Sequence, residues 1–351
     1  MANMKYLLTS AWFAVVLIAQ DNPATRPQDT FRQAITVVAI DARSHQVCPV
    51  VPEQMTISGV SAVPLSAEHI KGPRHVVLLI DVSSSSRTNQ VRWQNTLLVA
   101  RELLQHNTQD WIALHVFADV HRALTPFTRD TSVLLKALDT LSPENSQTIP
   151  KAYGYRTNVI DALEKCLAMS GPDLHFGDEI VLVSDGEYPD LNRKKQEEAQ
   201  RELIRLGLRL YLLHTGDLIR SPIVTSTSSD PIQSSARQKV EYSVTFAYNQ
   251  DQRQLVVPTG GAVVSAHEPA AELPITDRWL TQQQAVKAVR VLFVLIHNGY
   301  RVDLEIRELI SKPRRFTLRL KNSQGGNVEA HYPFFILPEG QFRGQATQLP
   351  N

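Results

Sequence analysis

The sequence predicts an α/β domain with a doubly wound, mostly parallel sheet flanked by helices, and small β segments on either side of it. Three observations carry that reading. Between 75 and 215, short apolar runs alternate with amphipathic stretches, the pattern of βαβ units around a buried parallel sheet. The amphipathic stretches repeat their apolar residues every three or four positions, as helices with one buried face do. One expected strand ends on Asp81 and another is followed directly by Asp185, and the carboxyl ends of strands are where open α/β sheets collect ligands.

In chain order, strands are expected at 75–81, 111–117, 179–184 and 208–214, with helices at 92–105, 132–141, 158–169 and 193–206 between them. The stretch 217–241 is rich in Ser, Thr, Pro and Gln and reads as an exposed loop inserted into the domain. The pattern then resumes with a strand at 260–265 and a closing helix at 281–298, whose Ala285, Ala288, Val289, Leu292 and Leu295 share one face. Strand-like segments precede the core at 34–47 and 55–65 and follow it at 300–306, 316–321 and 328–336. The last two are expected to form a hairpin turning through 322–326. This divides the chain into a signal segment (1–20), an N-terminal β-rich segment (30–72), the α/β core (73–298), a C-terminal β-rich segment (299–340) and a frayed tail (341–351).

Composition narrows the function classes. The hydrophobic fraction of 43% and charged fraction of 20% are ordinary for a globular chain. With 36 Lys and Arg against 35 Asp and Glu, the protein has no global basic field to draw nucleic acid or an anionic membrane. At the N-terminus, Lys5 and the apolar run 7–19 are followed by polar Asp21 and Asn22, the layout of a cleaved export signal. The run is shorter than the roughly 18 residues a membrane span needs. A secreted or periplasmic, cell-envelope location is therefore expected. Two cysteines are too few for a disulfide framework. Cys166 shares a helical face with Val159 and Leu163, which favours a buried thiol over a bridge to Cys48.

Three loops carry candidate chemistry. Asp81-Val82-Ser83-Ser84-Ser85 follows the first core strand and offers one carboxylate and two hydroxyls, hard oxygen donors suited to magnesium, manganese or calcium. Thr157 precedes a helix, and Asp185 follows another strand in Ser184-Asp185-Gly186. Alone, each has a commoner structural explanation: an Asp and Ser turn or cap, a Thr cap, an Asp-Gly turn.

Taken in order, the three loops resemble the von Willebrand factor A domain family and its metal ion-dependent adhesion site (MIDAS). The family's Asp-x-Ser-x-Ser is matched by Asp81, Ser83 and Ser85, its separate Thr by Thr157 and its later Asp by Asp185. The resemblance extends over about 75–298 and implies a Rossmann-like fold and a divalent ion, Mg2+ or else Mn2+ or Ca2+, held by those five residues. It also implies a protein partner that presents an Asp or Glu side chain to the ion. The export signal and β flanks are similar to those of bacterial exported members. Three features depart from the family pattern: Ser86 lengthens the serine run, Arg156 stands where a small residue is common, and 217–241 has no counterpart. Partner identity and oligomeric state do not follow from the resemblance.

An enzyme is not expected. The strand followed by Asp also resembles the haloacid dehalogenase phosphatases, but these need a second Asp two positions on, where this chain has Ser83. No Gly-x-Ser-x-Gly, Gly-x-x-x-x-Gly-Lys or His-Glu-x-x-His occurs. The 11 histidines are scattered, and His115 and His214 within strand patterns read as core residues. Beside the binding reading stand two alternatives: a scaffold whose metal only stabilises the fold, and a Mg-dependent phosphotransfer enzyme.

Overall fold

The computed structural model describes residues 30–41, 46–142, 152–186, 192–216, 253–267, 278–321 and 328–341. The expected signal segment at 1–20, the inserted loop at 217–241, the turn at 322–326 and all but one residue of the tail lie outside them.

Six strands form the core sheet: β4 (His75–Asp81), β5 (Trp111–Phe117), β6 (His121–Ala123), β7 (Glu179–Ser184), β8 (Arg209–His214) and β9 (Val263–Ser265), in the order β6-β5-β4-β7-β8-β9. All neighbours are parallel except β6, an antiparallel edge. Because β4 is followed by β5 on one side while β7 lies on the other, the connections diverge at the carboxyl end of β4, the point where doubly wound sheets form their ligand crevice.

Side-chain alternation explains the layering. Val76, Leu78 and Ile80 of β4 face one layer, where they pack with α2 (Gln90–His106), α3 (Thr131–Asp139) and the closing helix, α6 (Gln282–His297). Val77 and Leu79 face the other, with α4 (Val159–Ser170) and α5 (Arg193–Leu206). A strand buried on both faces must be apolar throughout, hence the unbroken run that marked it in the sequence. Cys166 lies in this second layer as a free, buried thiol, pushed up to about 12 by burial, and Cys48 is free as well.

The two β flanks combine into one module. β1 (Phe31–Asp41) pairs with β10 (Tyr300–Ile306) on one side and β13 (Val328–His331) on the other, and β3 (Ala62–His69) completes the four-stranded sheet. β2 (Met55–Ser58) pairs with β12 (Thr317–Leu320), and the two-residue β11 (Arg314–Arg315) with β14 (Phe335–Ile336). The hairpin expected from 316–321 and 328–336 forms only at its open end, where the Phe316 amide donates to the Phe334 carbonyl at 3.0 Å beside the β11–β14 pair. Further in, β12 pairs with β2 and β13 with β1, both from earlier in the chain, and Leu318, Leu320 and Ile336 are buried in a third core with Ile35, Val37 and Ala39. Val38, on the opposite face of β1, joins the first layer of the α/β domain, so β1 stitches the two cores together.

Arg209, fully buried at the start of β8, fixes the closing helix. Its guanidinium pairs with the Glu179 carboxylate and donates to the carbonyls of Leu295, at 3.2 Å, and Ile296, at 3.0 Å. Those carbonyls belong to the last turn of α6, which has no intrahelical donors for them. Replacing Arg209 with Met would strand a buried carboxylate and two carbonyls, so the variant is expected to lose about 3–5 kcal/mol of stability, measured as a lower urea midpoint; a loss within about 0.5 kcal/mol would contradict this role.

Candidate functional site

Asp81 is the last residue of β4 and is fully buried. Its Oδ1 accepts from the Ser83 amide at 2.8 Å, an Asx-type turn that lifts the chain out of the sheet, and its Oδ2 accepts from the Ser184 hydroxyl of neighbouring β7 at 2.7 Å. Ser83 is buried and stands at the N-cap position of the short helix α1 (Ser84–Thr88) without a capping bond from its side chain. Its hydroxyl lies 3.1 Å from that of half-buried Ser85. That distance is also close to the edge, about 3 Å, of an octahedron of oxygens around magnesium.

Asp185 follows β7 directly, and Gly186, with φ of 83°, turns the chain away while its amide donates to Ser184 Oγ at 3.0 Å. The Asp185 carboxylate is buried and pairs with Arg92 of α2 at 3.4 Å. From behind, His214 Nε2 lies 2.8 Å from the Asp185 carbonyl. Gly216, after β8, sits so close to that same carbonyl that a Cβ would approach it to 2.6 Å. The backbone at Asp185 is therefore clamped from the sheet side.

Burial, followed by the negative charge of Asp185, pushes the Asp81 carboxyl up to about 7, with the hydrogen bonds from Ser83 and Ser184 pulling the other way. Arg92 pairs with Asp185 at 3.4 Å, a length beyond the best charge-assisted range. The donor chemistry suits a divalent cation: hard oxygen donors, two carboxylates and neutral hydroxyls.

The loop that leads to Thr157 is tied to the Ser83–Arg87 segment. The Ser84 amide donates to the Tyr155 carbonyl at 2.8 Å, and Arg87 donates through Nη2 to the Gly154 carbonyl, also at 2.8 Å, and through Nε to the Val82 carbonyl. The Arg87 guanidinium lies over the Tyr155 ring. Thr157, half-buried, comes two residues later. It does not cap the helix behind it: the cap of α4 is Asn158, whose side chain accepts from the Asp161 amide. That leaves the Thr157 hydroxyl outside the role such a residue most often plays.

The structure thus brings the loops of Asp81, Thr157 and Asp185 to one edge of the sheet and adds two side chains that the sequence reading passed over. Ser184 and Arg92 each carry a weak local signal, a polar end to an apolar strand and a basic residue at a helix start, and neither points to the site without the sheet order. His115 and His214 are buried as expected; His115 Nδ1 lies 3.0 Å from His121 Nε2.

Gly154 holds the Thr157 loop in place. It has φ of 87°, and a Cβ there would overlap the Asp119 carboxylate, which accepts from the Tyr155 amide at 2.8 Å. In Gly154→Ala the loop is expected to pull away from α1, so that the Ser84 and Tyr155 amides exchange with deuterium faster than in the parent; unchanged protection at both would contradict this.

Residues 76–187, which contain all three loops, match the family model of the von Willebrand factor type A domain. Comparison with curated proteins returns no significant match. Among solved structures, the chain is similar to an aerotolerance-related membrane protein from Bacteroides fragilis NCTC 9343, at 17% identity over 64% of this chain and 98% of that one, with a TM-score of 0.44. A von Willebrand factor type A structure from Catenulispora acidiphila aligns at 9% identity over 89% of this chain and 74% of that one, with a TM-score of 0.44. Proximal thread matrix protein 1 from the mussel byssus, in a form with a zinc-occupied MIDAS motif, aligns at 13% identity over 70% of this chain and 49% of that one, with a TM-score of 0.41.

Proposed function

We propose that this protein, whose residues 76–187 match the von Willebrand factor type A domain model, binds a partner protein through a divalent cation that grips an acidic side chain. The observation that carries the proposal is the pairing of two buried carboxylates, Asp81 and Asp185, at the carboxyl edge of the sheet with the hydroxyls of Ser83 and Ser85 beside them. Thr157 would supply the fifth oxygen-bearing side chain. Two carboxylates balance a divalent charge without exceeding it, so the ion stays receptive to one more anionic donor. Magnesium suits such a donor set, with manganese or calcium as substitutes.

The chain's own residues divide the work. Asp81 and Asp185 provide charge; Ser83, Ser85 and Thr157 provide neutral oxygens; the Ser83 amide and Ser184 hydroxyl orient Asp81; Arg92 holds Asp185. Around the rim, Tyr155 is 62% exposed and Arg156 is exposed, an aromatic and a cation of the kinds that anchor interfaces and complement an acidic partner. Ser83 stands where phosphotransfer of the Asp-x-Asp kind needs a second acid, which supports a binding role over catalysis. The apolar run 7–19 supports export to the cell envelope or beyond, and among the described residues no helix is long and apolar enough to cross a membrane.

Calorimetry with Mg2+ and then Mn2+ is expected to give saturable binding to the parent protein and none to Asp81→Ala; equal heats for the two proteins would overturn the site. In EDTA the parent protein should keep its native circular dichroism and a single cooperative unfolding transition. Loss of that transition without metal would favour the scaffold reading instead.

A further inference from the structure

We propose that His75, His175 and Asp178 form a second metal site, selective for zinc-class ions and independent of the oxygen-only site. It lies at the opposite edge of the sheet. His75 opens β4, the strand that Asp81 closes, and at about 3.3 Å per residue the two ends are roughly 20 Å apart. His175 and Asp178 sit in the turn that leads into β7, the strand beside β4.

Asp178 is the fixed member. It is buried, its Oδ1 accepts from the His75 amide at 2.9 Å and its Oδ2 accepts from the His175 amide at 2.7 Å. Backbone donors thus hold the carboxylate still and leave its second lone pairs facing both imidazoles. His75 Nδ1 lies 3.4 Å from Asp178 Oδ2, and His175 Nδ1 lies 3.6 Å from the same oxygen. The ligand atoms of all three residues fall within 4.8 Å of one another.

These lengths suit a metal pocket better than a tight ion pair. A strong hydrogen bond between imidazolium and carboxylate measures about 2.7–2.9 Å, shorter than either contact. The edge of a tetrahedron of nitrogen and oxygen ligands around zinc, with bonds of 2.0–2.1 Å, is about 3.4 Å. Two imidazoles converging on one carboxylate oxygen also exceed what a single pair needs. The His75 ring is held from the side by Phe127, edge-on at 4.9 Å, and by Trp111, stacked at 6.3 Å. The His175 side chain is 59% exposed, so its ring is free to close the small remaining gap, and the fourth coordination position opens to water or to an external donor.

The local charge permits a cation. Asp178 and exposed Asp173 both act on His75 with negative potential, while Arg129, the opposing charge, rests over the Trp111 ring at 4.6 Å. Imidazole donors favour zinc, copper or nickel over magnesium, whereas the five oxygen donors at the other edge favour magnesium. The two sites therefore answer to different ions.

The test is zinc titration of the full chain by calorimetry in excess magnesium, which occupies the oxygen site without competing for imidazole, followed by cobalt substitution read by visible absorption. The parent protein and Asp81→Ala should each bind one zinc and give the intense band of tetrahedral, imidazole-bound cobalt. His175→Ala and His75→Phe should bind zinc at least about tenfold more weakly and lose the band; the first variant alters an exposed side chain and leaves the fold intact. Undiminished zinc affinity in His175→Ala, or no zinc bound by the parent, would overturn the proposal. Zinc uptake lost in Asp81→Ala but kept in both histidine variants would assign the zinc to the oxygen site and overturn it as well, leaving the Proposed function untouched.

Discussion

Two carboxylates buried side by side are the constraint around which the functional edge of this protein is arranged. Asp81 ends β4 and Asp185 follows β7, and because those strands are parallel neighbours, their ends come out together. Burial and mutual repulsion make the pair costly, which is why Asp81 is pushed up to about 7. Everything nearby reduces that cost: an amide and a hydroxyl on Asp81, a guanidinium on Asp185, and serine hydroxyls where a cation would complete the balance. A fold that only needed a turn at these positions would gain nothing from keeping both charges dry.

Most of the core was legible because a strand buried on both faces leaves a continuous apolar signature. The expected limits of β4, β5 and β7 coincide with the observed ones, and those of α5 as well. Elements without such a signature were not legible. The edge strand β6 is His-Arg-Ala, too short and polar to show a period, and α1 hides within the serine run that also carries candidate ligands. The expected hairpin after 316 pairs only at its open end, because the partners of β12 and β13 come from earlier in the chain, and a local turn signal carries no information about a competing strand so far away.

The candidate site was legible as a list of residues but not as a place. Asp81, Ser83, Ser85, Thr157 and Asp185 each had an ordinary local explanation, and the sheet order is what brings Asp81 and Asp185 together. Once the order is known, Ser184 and Arg92 follow, since one precedes Asp185 on β7 and the other faces it from the first turn of α2. The opposite edge shows the same logic with different donors: His75 and Asp178 belong to segments far apart in sequence that parallel pairing brings together. The β module adds to this frame by tying both ends of the chain to the domain through β1 and β10, with Arg209 locking the closing helix beneath them.

Manganese soaked into crystals of the protein, with data collected for anomalous scattering, tests the metal assignment most directly. One strong anomalous peak is expected among Asp81, Ser83, Ser85, Thr157 and Asp185, about 2.2 Å from the carboxylate oxygens that bind it directly. A map with no peak there at saturating manganese, or with Thr157 turned away from the ion and both carboxylates still bonded as they are without it, would contradict the adhesive reading.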